Sequence, residues 1–337
     1  MNNLNDILIC PSCRVKFEKF NNSQICNNNI CSNFKTTLIK IKDKPVFIDF
    51  SNFMISKKNF LEFNSSSNNV RKNSFFSKFI KSIIYGKSLK TRSNIKSLIN
   101  NNDTNKKILV VGGGTIGAGL SKFYKDFKKQ IISFDIYYSD NIDFMADAHN
   151  MPFKNSSFDF VIIQAVLEHV MYPNTVVSEI YRVLKNNGVI YSETPFMQQV
   201  HEGPYDFSRF TESGHRLLFN NFECIKSGFI GGLGTSLLWS IEYFFTGLFR
   251  SRKIGKISKL IFFWLRFIDL IIPYKYNIDG GCGFFFSGRI YSSSSTISSP
   301  SKFFMIPHLK EIGKDMSSII HATVCISWST ANVDSNP

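Results

Sequence analysis

Three short stretches place glycines and acids where an adenosine-bearing cofactor needs them. KKILVVGGGTIGAGL (106–120) sets Gly112, Gly114 and Gly117 in GxGxxG spacing behind the apolar run Ile108 to Val111. Without a Cβ, glycine lets the backbone turn sharply and approach a ligand closely. IISFDIYY (131–138) ends an apolar run on Asp135, where a carboxylate can accept hydrogen bonds from ribose hydroxyls. Those two pieces fit a nicotinamide dinucleotide as well as other nucleotide cofactors. A third stretch, MADAHNMPFKNSSFDFVIIQAVLEHV (145–170), adds a second acidic turn at Asp147-Ala148.

That third stretch carries a resemblance. Asp147-Ala148, Met151-Pro152-Phe153, Ser157-Phe158-Asp159 and Leu167-Glu168-His169-Val170 follow in order, then Arg182-Val183-Leu184-Lys185 with Asn187-Gly188. The series resembles the class I S-adenosylmethionine (SAM) methyltransferases, in particular the methyltransferase type 11 group, over roughly residues 105–230. The resemblance implies a doubly wound, mostly parallel, seven-stranded Rossmann-like α/β sheet. It implies that Gly112, Gly114 and Gly117 shape the cofactor turn and that Asp135 binds the ribose. Asp147 and Ala148 would face the adenine, with Asp147 accepting from its exocyclic amine. One position departs from the family. Val110 stands where an acid two residues before the first glycine is usual, and Ile116 lengthens the turn. The amino group of SAM must then be held by other groups.

A separate chemistry sits at the amino terminus. Cys10, Cys13, Cys26 and Cys31 form C-x2-C, twelve residues, then C-x4-C. Two such knuckles can offer four thiolates to a tetrahedral, structural Zn²⁺. A redox dithiol is the weaker alternative, because no thioredoxin-like context surrounds the pairs. TTLIKIKDKPVFIDF (36–50) is expected to complete a small zinc ribbon. A segment this small has little core, so the metal would supply much of its folding energy. Cys224, Cys282 and Cys325 are scattered and read as packing or surface residues.

The acceptor side is expected after strand five, in ETPFMQQVHEGPYDFSRFTESGHRLLF (193–219). Loops at the carboxyl ends of strands line the crevice of open α/β sheets. Glu193, His201, Glu202, Tyr205, Asp206 and Arg209 could all touch a substrate. The alternative is a self-bonded loop, with Asp206 paired to Arg209 and Thr211 capping the next helix. Methyl transfer from a sulfonium needs alignment and water exclusion more than acid–base work. Where the acceptor carries a proton, His201 is the first candidate base and His169 the second. A packed histidine is the alternative reading of either.

These groups need a scaffold. Residues 1–50 read as the ribbon, 51–104 as a basic linker with one or two helices, and 105–292 as the methyltransferase domain. Strands are expected near 107–111, 131–135, 142–145, 158–164, 188–193 and 222–229, with a final strand at 283–292. Helices fall near 117–128 and 173–185. Within this domain 231–282 is an insertion with two apolar helical pieces, 236–250 and 258–273. It reads either as a cap over the cleft or as a hairpin lying on a membrane surface. Arg266 and Asp269 argue against a spanning hairpin. Residues 293–337 read as a disordered tail.

Composition frames the partners. Formal net charge is +15 over 337 residues. Much of it reflects a Lys/Asn-rich bias, but ten Lys/Arg and one acid fall between Arg71 and Lys107. That stretch suits an acidic surface, RNA, or a solvated helix. No basic, apolar leader opens the sequence, and no apolar run reaches spanning length. The expectation is a cytoplasmic enzyme, peripheral at the inner face of a membrane through 236–273. It would methylate a small or lipid-linked metabolite. An RNA methyltransferase guided by the ribbon and basic linker is the first alternative. A SAM-binding scaffold without turnover is the second, and a nicotinamide oxidoreductase the remote third.

Overall fold

The computed structural model describes Leu4 and residues 6–20, 23–35, 38–66, 89–99, 105–201 and 203–291. Residues 1–292 form one compact unit. The tail and most of the basic linker, including Phe75, Phe76 and Phe79, lie outside the described residues.

Strands are β1 Glu18–Phe20, β2 Ser23–Ile25, β3 Lys40–Ile41, β4 Lys44–Phe47, β5 Ile108–Val111, β6 Ile131–Asp135, β7 Phe144–Ala146, β8 Phe158–Gln164, β9 Leu184–Pro195, β10 Phe222–Gly231 and β11 Gly283–Ile290. Helices are α1 Lys57–Ser66, α2 Leu89–Leu98, α3 Ser121–Asp126, α4 Pro173–Val183, α5 Glu212–Leu218, α6 Leu233–Leu248, α7 Arg252–Ile261 and α8 Tyr274–Asp279. The main sheet runs β10-β11-β9-β8-β5-β6-β7-β4-β3. From β9 through β4 its neighbours pair in parallel, while β11 is antiparallel to both β9 and β10.

The seven strands from β5 to β11 are those expected from the apolar runs. Continuous hydrophobic runs make parallel strands that are buried on both faces. Ile108 to Val111 and Val161 to Ile163 are at most 4% exposed. On one face the sheet packs against α4 through Val176, Val177, Ile180 and Val183. On the other, Val110, Ile162 and Tyr191 pack with Ile95 of α2 and Phe123 of α3.

The sheet is larger than expected. Residues 40–47 do not close a separate ribbon. β3 and β4 form a hairpin, and β4 adds in parallel to β7, pairing Val46 with Met145. The hairpin that does lie between the cysteine pairs is β1–β2. The amino-terminal segment also shares the main core. Leu8 bridges Phe153, and Ile9 N–H donates to the Pro152 carbonyl at 3.0 Å. Phe17 meets Phe47, Phe47 meets Phe144 edge-on at 5.3 Å, and Phe144 meets Phe153. Such aromatic pairs contribute beyond their area burial, by roughly 0.5–1.5 kcal/mol each.

The insertion differs in detail from the two helices expected. The first piece is helical (α6), but the second breaks at Phe262 into α7, a 3-10 stretch Phe263–Leu270, and α8. The break lets the chain fold back on α6. Asp269 accepts from the N–H groups of Gly232, Gly234 and Thr235, capping the α6 N-terminus from across the fold. Gly234 is required there, because a Cβ would lie 2.1 Å from the Leu265 carbonyl oxygen. Lys259 of α7 pairs with Glu242 of α6 at 2.6 Å. The helix expected from 117 starts only at Ser121, because the glycine turn occupies the preceding residues.

Candidate functional site

A cavity of about 690 Å³ opens at the carboxyl ends of β5 to β9. Each strand end delivers one chemical group to it. β5 delivers Gly112, β6 Asp135, β7 Asp147, β8 Gln164 and β9 Glu193. This is where an open α/β sheet takes a ligand.

Gly112 adopts φ +73°, and a Cβ there would lie 2.2 Å from Val166. Glycine is thus needed by the turn and by its packing. Gly117 leaves room for the Gln164 side chain, whose Oε1 would lie 1.6 Å from a Cβ there. Gly114 does not line the cavity. Its N–H donates to Asp135 Oδ2 at 2.9 Å, while Tyr137 N–H donates to Oδ1 at 3.2 Å. These bonds orient the Asp135 carboxylate at the cavity wall. Burial pushes its pKa up, and the same two N–H groups oppose that shift.

Asp147 and Ala148 lie beside it in the lining. Asp147 Oδ1 accepts from His149 N at 2.9 Å and lies 2.8 Å from His149 Nδ1. Tyr172 N–H donates to His149 Nε2, so Nδ1 carries the ring proton. His149 therefore fixes Asp147. The sequence signalled it only by its position next to the Asp-Ala pair.

The far end of the cavity holds Glu193, which the sequence reading assigned to the acceptor side. Val110, where the family's acid is usual, is 4% exposed and packed in the core. Glu193 reaches the lining instead. It accepts from Thr91 Oγ1 at 2.6 Å, from the Tyr191 hydroxyl and from Gln164 Nε2. Burial pushes its carboxyl pKa up against those three hydrogen bonds.

His169 and His201 meet at the cavity mouth, with Nε2 atoms 3.2 Å apart. Tyr205 joins the lining, and Asp206 and Arg209 pair with each other behind it. Thr211 accepts from Gly214 N–H and caps α5. The loop thus contains both of the expected arrangements, a facing surface and a self-bonded support. Glu202 lies outside the described residues. Above the loop, α6 contributes Trp239 to the lining, and Gln199 Nε2 donates to Ser240 Oγ at 3.3 Å.

The four cysteines converge. Sγ atoms of Cys10 and Cys31 are 3.7 Å apart, those of Cys13 and Cys26 are 3.4 Å apart, and all four lie within 4.8 Å of one another. Four sulfurs around one Zn²⁺ at about 2.3 Å sit roughly 3.8 Å apart, so the cluster has the size the ion needs.

Residues 112–192 match the family model of a methyltransferase domain. No curated protein matches the chain. Among solved structures, it is similar to the Haemonchus contortus phosphoethanolamine N-methyltransferase 2 in complex with SAM, at 16% identity and a TM-score of 0.42. That alignment covers 69% of this chain and 60% of the other, so the chain spans about three-fifths of that enzyme's length. A SAM-dependent methyltransferase from Aquifex aeolicus aligns at 12% identity and a TM-score of 0.36, covering 59% of this chain and 89% of the other. The family match spans the glycine turn, both acidic turns, β6 to β8 and most of β9, which carry much of the cavity lining. The match places a methyltransferase domain within this chain, at residues 112–192.

Proposed function

We propose that this enzyme transfers a methyl group from SAM to a small or lipid-linked metabolite. The observation that carries the cofactor half is the set of three cavity acids. Asp135 would take the ribose hydroxyls and Asp147 the adenine amine, with Ala148 against the ring. Glu193 would hold the methionyl ammonium in place of the acid missing at Val110. Gly112, Gly114 and Gly117 would shape the turn that the cofactor lies on. SAM supplies the activated methyl group, and the chain aligns it and excludes water. His169 and His201 would handle the acceptor's proton at the mouth.

The acceptor half rests on the insertion. Trp239 lines the cavity from α6, and the outer faces of the same hairpin are apolar. Phe244, Ile261, Leu270 and Ile271 are 62–84% exposed. Arg250, Arg252, Lys253 and Lys256 are exposed beside them. Apolar side chains beside lysines and arginines suit an anionic bilayer surface. No helix of the described residues is long and apolar enough to cross a membrane, so the contact would be peripheral. The cysteine cluster would hold a structural Zn²⁺.

Calorimetric titration with SAM, its demethylated product and NADH tests the cofactor. The first two should bind and NADH should not. Transfer of radiolabelled methyl into cell fractions then tests the acceptor, with label expected in the small-molecule or lipid fraction. Label in RNA would favour the RNA reading. Tight SAM binding without any transfer would favour a scaffold. Sedimentation with anionic but not neutral vesicles would support the surface contact.

A further inference from the structure

The histidine pair at the cavity mouth is oriented by its surroundings. His169 Nδ1 lies 2.7 Å from the Tyr205 carbonyl oxygen. His201 Nδ1 lies 3.4 Å from the Gln199 carbonyl and 3.4 Å from Asp206 Oδ2. Those oxygens only accept, so each Nδ1 bears a proton. The two Nε2 atoms face each other across 3.2 Å. A proton or a metal ion between them makes such a contact favourable. Two imidazole nitrogens bound to one divalent ion at about 2.0–2.1 Å, at roughly 90–109°, are separated by roughly 2.8–3.4 Å. The observed spacing falls in that range.

A third donor stands beside them. Glu168 Oε1 lies 3.7 Å from His169 Nε2, and all three donor atoms fall within 4.8 Å of one another. Glu168 is fully buried, and neither carboxylate oxygen has a hydrogen-bond partner among the described residues. A buried carboxylate left without a partner is costly. A cation supplies that partner. The outer contacts are also those of a metal site, where each ligating histidine gives its other N–H to a carbonyl or carboxylate. Asp206 is itself fixed by Arg209.

We propose that Glu168, His169 and His201 bind one divalent transition-metal ion at the mouth of the cavity. Two imidazoles and one carboxylate suit manganese, iron or zinc and leave coordination positions open. The ion's open positions would take an oxygen of the acceptor and lower its pKa. That last role rests on reading this end of the cavity as the acceptor side, and there the histidines would act through the metal rather than as bases. Metal binding itself does not depend on methyl transfer.

The test uses Mn²⁺, which hard oxygen and imidazole ligands accept and a four-thiolate site disfavours. The full-length protein is titrated with Mn²⁺, and bound ion is followed by electron paramagnetic resonance. One Mn²⁺ per chain is expected, with nitrogen hyperfine couplings from two imidazoles in the wild-type spectrum. His201→Gln and Glu168→Gln should weaken binding by roughly 10–100-fold or more. SAM titration of the same variants reports separately on the cofactor site. Absence of bound Mn²⁺, or bound Mn²⁺ without imidazole couplings, overturns the proposal and leaves a pair sharing one proton. The wild-type spectrum decides the matter even if a variant does not fold.

Discussion

Arg14 and Glu179 stand 165 residues apart in sequence and form a two-pronged ion pair, Nη1 to Oε2 at 3.1 Å and Nη2 to Oε1 at 3.2 Å. Glu179 also accepts from Arg182 and from Met151 N–H, and Arg14 Nη1 donates to the Met151 carbonyl. The cysteine knuckle is thereby fastened to α4. The Arg14 side chain is 40% exposed, so solvent weakens its share. Arg14→Ala is expected to lower stability by about 1–2 kcal/mol in urea unfolding. Arg14→Lys should recover only part, because an ammonium cannot reproduce the fork.

Removal of metal from the cysteine cluster should be felt throughout the core. Cys10 and Cys26 are buried in the same cluster as Phe47, Phe144 and Val161. Treatment with a chelator is expected to release one zinc per chain from this cluster and to lower a single melting transition. A separate early transition, with the main one unmoved, would show that the ribbon folds independently.

His215 predicts an acid limb. It is fully buried among Phe210, Phe219 and Phe286, and its Nε2 lies 2.9 Å from Ser192 Oγ. Burial lowers its pKa from 6.5 to about 3. Between those values the unfolded chain binds the proton and the folded chain does not. Stability therefore falls as pH drops below about 6.5 and continues to fall toward pH 3. His215→Phe should flatten this limb in melts between pH 7 and pH 4, although its stability at pH 7 depends on how well the ring repacks.

Gly112→Ala combines a left-handed backbone with a collision at Val166. A loss of about 2 kcal/mol or more is expected. SAM binding should fall with it, because the turn forms one wall of the cavity. Equal stability and affinity in the variant would show that the loop relaxes freely.

Glu193→Gln keeps the shape but removes the charge that, on the proposed reading, would face the cofactor's ammonium. Loss of one charge-assisted bond corresponds to a roughly 10–100-fold weaker affinity for SAM. The demethylated product carries the same ammonium and should weaken in parallel. Adenosine lacks it, so its binding should be unchanged.

The parallel strands were legible because burial on both faces writes them as unbroken apolar runs, as in Ile108 to Val111 and Phe160 to Ile163. Asp135 and Asp147 were legible because strand ends fix their direction. Other features depend on contacts between distant segments. Nothing local in Lys44 to Phe47 says that it will lie beside Met145. The break at Phe262 has no glycine or proline to announce it, and only the fold-back of Asp269 onto Gly232 makes sense of it. Glu193 looked like a loop residue on the acceptor side. Its direction into the cavity depends on Thr91 of α2, a residue 102 positions earlier that holds its carboxylate. The facing of His169 and His201 likewise depends on the loop that carries Tyr205 and Asp206.

The pairing of β4 with β7 also sets an order of events during synthesis. Val46 and Phe47 cannot find Met145 and Ala146 until about a hundred further residues have been made, which takes several seconds or more at ribosomal rates of ~5–20 residues per second. Throughout that interval Phe47 has Phe17 within sequence reach but not its later partner Phe144. β4 then covers the edge of β7, and the two-residue β3 becomes the outer strand, a short edge that offers little to a neighbouring chain.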